Sequence, residues 1–298
     1  MLFEQISKNK RKTIMLFLVF FLFMGVVGAA LGNYMFGSWS AGVVIALVAG
    51  LVYAVFMFGQ STDVVMSMNH AQEITSVDQA PDLWHIVEDM ALVAQVPMPR
   101  VFIIDDPSPN AFATGNNPEH AAVAATTGIL QRLTREELEG VMAHEMTHVR
   151  NYDIRLQTIA VAMTSAIAML ANFGKHFWYF GGGNRDRDRE GGNSNIIGMI
   201  VSVVVLLLAP LAATLVQLAI SRNREYLADA GAVELTRNPQ GLISALRKIS
   251  QSEPMSTDNV SPESAALYIA NPLKGDKVAS LFATHPPMEE RIAALEKL

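Results

Sequence analysis

Apolar residues gather along this chain in four long stretches, 14–32, 41–58, 156–173 and 196–220, and between them polar and apolar positions alternate on shorter periods. A charge-free run of about 18 residues or more can cross the roughly 30 Å hydrocarbon layer as a helix. The first two stretches are joined by a short segment containing Gly37 and Ser38, which suits a tight turn, so they read as a helical hairpin. A cleaved signal peptide is disfavoured, because the first run exceeds the usual apolar core of about 7 to 15 residues and a second run follows at once. The last two stretches form a second pair. The third is only moderately apolar, with Gln157, Thr158, Thr164 and Ser165, which leaves open a hairpin buried in protein in place of two crossings.

The segment between the second and third stretches has the periodicities of a folded domain. Leu83, Ile86, Val87 and Met90 follow helical spacing over 81–94, and Pro97 and Pro99 end that helix. Short β-branched or small apolar runs at 101–104, 111–114 and 121–127 predict strands. Thr134 followed by Glu137 matches a capping box, so a helix is expected from Arg135, with Leu138, Val141, Met142, Met146 and Val149 on its apolar side, running into the third stretch. Helical pattern persists after the fourth stretch through Ala228. Asn238 with Pro239 opens another helix to Ile249, 250–259 reads as a surface loop, and 288–298 forms a last helix.

The expected architecture is therefore a mainly α integral membrane protein, with four transmembrane helices and an α+β domain carrying a small sheet. Its parts are an N-terminal hairpin at 1–60, a first domain segment at 61–155, a second hairpin at 156–220 with a flexible connection at 174–195, and a second domain segment at 221–298.

Composition narrows the class. Of 298 residues, 51% are apolar and 17% charged, an unusual ratio for a wholly soluble protein, so the lipid bilayer is the first expected partner. The absence of cysteine excludes disulfides and thiolate metal sites. A net charge of −6 offers no basic face for nucleic acid. Lys8, Lys10, Arg11 and Lys12 precede the first stretch and the turn after it has no Lys or Arg, which predicts a cytoplasmic N-terminus in a bacterial-type inner (cytoplasmic) membrane. Lys175, Arg185, Arg187 and Arg189 count against placing the second connection on the opposite side.

Candidate chemistry centres on His144-Glu145-Met146-Thr147-His148, an H-E-x-x-H pattern. On a helix, histidines four residues apart share a face and can grip one Zn²⁺, while the glutamate beside the first can take a proton from a water. Without cysteine the third ligand must be His or a carboxylate. Glu225 is the best candidate, with Asp229 one turn further on the same face, placed to accept the second N–H of a ligating histidine. The bland alternatives are ordinary helical histidines and a solvated acidic face.

The chain resembles the HtpX-type membrane-embedded zinc metallopeptidases, related to the CAAX prenyl proteases and built on the gluzincin plan. The resemblance rests on the first hairpin, on Asn110-Ala111-Phe112-Ala113-Thr114-Gly115, on His144 to His148 continuing into Arg150-Asn151-Tyr152-Asp153, on Glu225 to Asp229, and on Thr284-His285-Pro286 with Arg291-Ile292. It implies Glu225 as third zinc ligand, Glu145 as general base, one Zn²⁺ per chain, and cleavage of membrane proteins, especially misfolded ones, at the cytoplasmic face. It also implies that Asn110, Ala111, Phe112 and Ala113 form an edge strand for substrate, although Asn110 serves equally well as a turn residue. His285 is a candidate oxyanion donor or a cap for the last helix, and Arg291 a candidate partner for a carboxylate. The rival readings are a non-catalytic membrane protein with a structural zinc site, and a metal transporter. Transport is disfavoured because the four stretches carry no charged residue or histidine.

Overall fold

A computed structural model describes residues 2–181, 222–256, 260–261, 263–272 and 286–298 of the protein. The fourth apolar stretch, the arginine-rich part of the connection before it, and His285 lie outside the described residues.

Two helices, α1 (Leu2–Phe36) and α2 (Trp39–Met68), form the N-terminal hairpin. Gly37 adopts a left-handed φ of +64° at the turn, and Ser38 caps α2 by accepting from the Ala41 amide at 3.3 Å. The helices meet along a glycine seam. A β-carbon on Gly42 would collide with the backbone of Gly28 and Gly32, so only glycine lets the two axes approach this closely. Leu18, Leu22 and Val26 of α1 and Val48, Val52 and Val55 of α2 remain exposed on the outer faces. Both helices are long and apolar enough to cross a membrane.

Unlike its first half, the end of α2 belongs to the folded domain. Val65 and Met66 pack on one face of a four-stranded mixed sheet, against Phe102, Ile104, Phe112, Ala122 and Ala124. The strands are β1 (Gln72–Ile74), β2 (Arg100–Ile104), β3 (Ala111–Gly115) and β4 (Ala121–Thr126), in the order β1-β2-β4-β3. The β2–β4 pair is parallel and the other two are antiparallel. The other face, with Val101, Ala111, Ala113, Val123 and Ala125, packs against α3 (Pro81–Ala94) and α5 (Arg135–Arg150). Cover on both faces explains why β3 and β4 are buried throughout and apolar except at Thr114 and Thr126. The three-residue β1 was not expected from the sequence, and the strand expected over 121–127 forms as β4 but ends one residue early, where α4 (Thr127–Arg132) begins with the Thr126 hydroxyl capping the Ile129 amide.

The capping box sits where the spacing puts it. Thr134 accepts from the Glu137 amide, and Glu137 accepts from the Thr134 amide at 2.7 Å. The expectation of one helix continuing into the third apolar stretch is corrected by the structure. Helix α5 stops at Arg150, Tyr152 takes a left-handed φ of 60°, and α6 (Asp153–Gly181) starts in a new direction. A left-handed tyrosine is costly and has to be held by its surroundings. The hold is Asp153, buried and bonded back to His148 of α5 and across to Asn9 of α1.

Helix α6 carries the third stretch. Its Leu156, Ile159, Ala160, Met163 and Ile167 pack with Leu16 and Phe20 of α1, and the Tyr53 hydroxyl of α2 donates to the Ala162 carbonyl at 2.8 Å. Among the described residues the remaining α-helices are α7 (Arg222–Thr236), α8 (Pro239–Ser250), opened by the Asn238 cap, and α9 (Met288–Leu295). Helix α5 is the centre of the domain, clasped by α3, α7 and α8. Two close approaches define that clasp: Gly140 of α5 lies against the backbone at Leu242, and Gly231 of α7 lies against the side chain of Thr147.

Candidate metal centre

The second half of α5 is buried around its circumference, an unusual environment for the polar run His144-Glu145-Met146-Thr147-His148. Polar groups withdrawn from water need fixed partners. The two histidine Nε2 atoms face one another at 3.2 Å. The carboxylate of Glu225, from the first turn of α7, stands 3.7 Å from Nε2 of His144 and 3.6 Å from Nε2 of His148. One donor atom from each of the three residues lies within 4.8 Å of the others.

Each ring is held from behind by a carboxylate. Asp229 Oδ1 is 3.0 Å from Nδ1 of His144, and Asp153 Oδ2 is 3.1 Å from Nδ1 of His148. With Nδ1–H of each ring donating to its carboxylate, the Nε2 lone pairs point at a common centre. Two imidazoles binding one tetrahedral zinc at about 2.0 to 2.1 Å place their nitrogens about 3.3 Å apart, so the observed spacing fits that ion. His148 is drawn in two directions. Burial favours its neutral form, but the hydrogen bond to Asp153 and the charge of Glu225 outweigh it and raise the ring to about 9. A metal arriving at neutral pH therefore displaces a proton.

Asp229 keeps its charge through Arg291 of α9, which donates to both carboxylate oxygens at 2.6 and 2.9 Å. Burial alone would raise the Asp229 carboxyl. The guanidinium overcomes this and, with His144, holds it at about 2. The third contact of Arg291 is the Ile269 carbonyl at 3.1 Å, and Ile269 in turn donates its amide to the Ala111 carbonyl of β3 at 2.9 Å. One buried guanidinium thus joins the back of His144 to the segment lying along the sheet edge.

Glu145 is 98% withdrawn from solvent, beside the cluster of three donors and not among them. Burial, followed by the charge of Glu225, pushes its carboxyl above the ordinary range, with His144, His148 and Arg291 opposing. Such a group accepts a proton more readily than an exposed carboxylate does.

On the sheet edge, Asn110 donates to the Ala270 carbonyl at 2.9 Å and accepts from the Ala270 amide at 3.3 Å, so its side chain is engaged with the protein's own segment. Phe112 is buried against Tyr268. The Thr126 amide bonds to the Asn110 carbonyl, so residues 110, 112 and 114 turn their peptide groups to β4, and Ala111, Ala113 and Gly115 turn theirs outward. Outward groups already used are the Ala111 amide, by the Asn110 side-chain oxygen at 3.1 Å, the Ala111 carbonyl, by Ile269, and the Gly115 amide, by the Thr158 hydroxyl at 3.0 Å.

Sequence reasoning assigned no role to Asp153, Arg224 or Asn9. Arg224 lies 3.6 Å from Asp153, and the Asn9 amide nitrogen donates to Asp153 at 2.7 Å. The available signal for Asp153 was its place five residues past His148, at the border of an apolar stretch. His70, His85 and His120 stand outside the cluster, as their spacing suggests.

Comparison with known proteins agrees with this chemistry. The sequence model of peptidase family M48 matches residues 78–298. The chain is 64% identical over 299 residues to the "Protease HtpX homolog" of Ligilactobacillus salivarius and 62% identical over 301 residues to that of Limosilactobacillus fermentum, each covering all of both chains. The protein of the same name from Streptococcus uberis is 58% identical, again over the full length of both. Among solved structures, that of S. mikatae Ste24p aligns with 93% of this chain and 61% of its own, at 18% identity and a TM-score of 0.47, too loose a likeness to carry an argument.

Proposed function

We propose, on the premise that this chain belongs to peptidase family M48 and is a metallopeptidase, that it is a zinc-dependent endopeptidase cutting membrane proteins beside the cytoplasmic surface of the bilayer. The observation that carries the zinc reading is the convergence of His144, His148 and Glu225 with a carboxylate behind each histidine. Among the described residues that cluster has three donors, which leaves a fourth position open for water or substrate. A closed structural site needs a fourth protein ligand, so the catalytic reading is favoured over the structural one.

Zinc held there would supply Lewis acidity, activating water as a nucleophile and polarising the scissile carbonyl. Glu145 receives the proton of the attacking water and delivers it to the leaving amine, so one carboxylate acts first as base and then as acid. Asp229 and Asp153 keep both imidazoles in the tautomer that leaves Nε2 free. Ala113, whose peptide groups face outward between the contacts made by Ile269 and Thr158, is the position on β3 at which an extended substrate adds by main-chain hydrogen bonds.

Membrane proteins as substrates follow from the anchor. Asn9 near the start of α1 and Val65 near the end of α2 both contact the domain, so the basic cluster from Lys8 to Lys12 lies on the catalytic side. By the positive-inside rule that side is the cytoplasm. Protein quality control is the cellular role that the family resemblance supports.

The test is cleavage of an unfolded model membrane protein by the purified full-length chain in detergent, zinc-loaded or chelated, with Glu145→Gln alongside. Cutting by the zinc-loaded parent alone, with zinc retained but turnover reduced at least about 100-fold in Glu145→Gln, is the expected result. Stoichiometric zinc without cleavage of any substrate would replace this reading with the structural one.

A further inference from the structure

The N-terminal helix of a membrane hairpin has one ordinary task, to cross lipid, and polar side chains buried on such a helix call for an explanation. On α1, Asn9 is 3% exposed and Thr13 is 4% exposed, one turn apart. Thr13 is satisfied within its own helix, donating to the Asn9 carbonyl at 3.0 Å. Asn9 reaches across the fold. Its side-chain nitrogen donates to Asp153 Oδ1 at 2.7 Å and to the carbonyl of Asn151 at 3.2 Å, residues more than 140 positions away. Both partners are acceptors, so the amide presents its nitrogen to them and uses both of its hydrogens.

Neither partner is incidental. Asn151 is the C-cap residue of α5, the helix that carries His144 and His148. Asp153 offers its second oxygen to Nδ1 of His148 at 3.1 Å. Its first oxygen is also approached by Arg224 of α7 at 3.6 Å, the neighbour in sequence of Glu225. One buried carboxylate thus gathers contacts from α1, α5 and α7, and the contact from α1 is the shortest. A carboxylate with a cation on one side and an imidazole on the other can rotate between them, and a short bond from a third direction fixes its plane.

We propose that Asn9 is a positioning residue of the metal centre: the first membrane helix, through one side-chain amide, sets the carboxylate that orients His148. This rests on the reading of His148 as a zinc ligand. With the Asp153 plane fixed, the Nδ1–H of His148 has one acceptor direction, and the opposite nitrogen is aimed at His144 and Glu225. Without it, the carboxylate swings toward Arg224, the imidazole gains freedom, and zinc leaves faster. The N-terminal helix is then part of the enzyme's working machinery as well as its anchor.

The test measures zinc and not turnover. Full-length protein in detergent is titrated against a chromophoric zinc chelator, and zinc release is timed, for the parent, Asn9→Leu, Asp153→Asn and the double variant. Leucine matches asparagine in size and lacks both donors. Loss of an outer partner of a metal-bound histidine costs about 10- to 100-fold in affinity, so Asn9→Leu is expected to bind zinc about tenfold more weakly. In the Asp153→Asn background the same substitution should change affinity less than about twofold, because the two act through one contact. Thr13→Val, one turn along, should leave zinc binding at the parental level. If Asn9→Leu is not recovered folded, Asn9→Gln, which keeps the amide but shifts it by a methylene, should show an intermediate loss that again vanishes with Asp153→Asn. Parental zinc affinity in Asn9→Leu or, where only it folds, in Asn9→Gln, or an equal loss in both backgrounds, would overturn the proposal and leave Asn9 a structural tie. A parent that binds no zinc would instead sink the metal reading on which it rests.

Discussion

Gly231 of α7 rests directly on the side chain of Thr147, the residue just before His148. The Thr147 hydroxyl is turned back to the Ala143 carbonyl at 2.9 Å, and its methyl group meets the glycine. No side chain of α7 intervenes here, and Glu225 and Asp229, six and two residues earlier on α7, reach the two histidines because of it.

Gly231→Val should therefore act on the metal centre without touching a ligand. Overpacking at a close helix contact costs about 1 to 3 kcal/mol, and displacement of α7 should weaken zinc binding at the same time. Thermal unfolding and chelator competition on one sample check both; unchanged zinc affinity would show that α7 is positioned by other contacts.

Asp229→Asn removes the charge that compensates Arg291 in a site from which water is excluded. Breaking a buried pair from one side costs about 3 to 5 kcal/mol, so the variant should unfold at markedly lower temperature. Restoring stability with Arg291→Met in the same chain, while zinc affinity stays low, would separate the unpaired Arg291 charge from the loss of the carboxylate behind His144.

Glu137 closes the capping box of α5 and also accepts from Lys248 and Ser244 of α8, each at 2.6 Å. Burial raises its carboxyl, but the bonds from Lys248, Ser244 and the Thr134 amide outweigh this and leave it below the usual 4.5. A depressed carboxyl stabilises the fold above its unfolded value and loses that contribution as pH falls toward the folded one. The parent should accordingly lose stability relative to Glu137→Gln as pH drops below about 4.5, while above it Glu137→Gln should be weaker by about 1 to 2 kcal/mol. Denaturant melts at stepped pH measure the difference; a gap independent of pH would exclude an ionised Glu137 as its source.

Tyr152 is the one non-glycine residue in left-handed geometry between α5 and α6. Tyr152→Gly should be close to neutral or mildly stabilising in backbone terms, whereas Tyr152→Ile should cost about 1 to 2 kcal/mol. Equal effects of the two on chemical denaturation would mean that the tyrosine ring, and not the backbone, matters at this turn.

Local features were legible in the sequence where they were self-contained. The box of Thr134 and Glu137 marked the start of α5 to the residue, and Pro81 and Asn238 marked α3 and α8. The break at Tyr152 was not, because nothing in Arg150-Asn151-Tyr152-Asp153 forbids a helix and the turn is imposed by bonds that Asp153 makes to remote residues. Strand β1, three residues with one buried side chain, has no pattern long enough to read. The candidate site divides the same way: His144, Glu145 and His148 form one motif and Glu225 with Asp229 another, while the tie between Asn9 and Asp153 spans 144 residues and appears only once the chain has folded.

The glycine seam of the hairpin bears on how the enzyme can move. Because α1 and α2 are locked along Gly28, Gly32 and Gly42, and both of their inner ends are fastened to the domain, the anchor has no swivel. On the proposed function, with the hairpin in the bilayer, the metal centre would then keep a constant height and heading, and membrane-protein substrates would reach it by their own diffusion in the plane of the membrane.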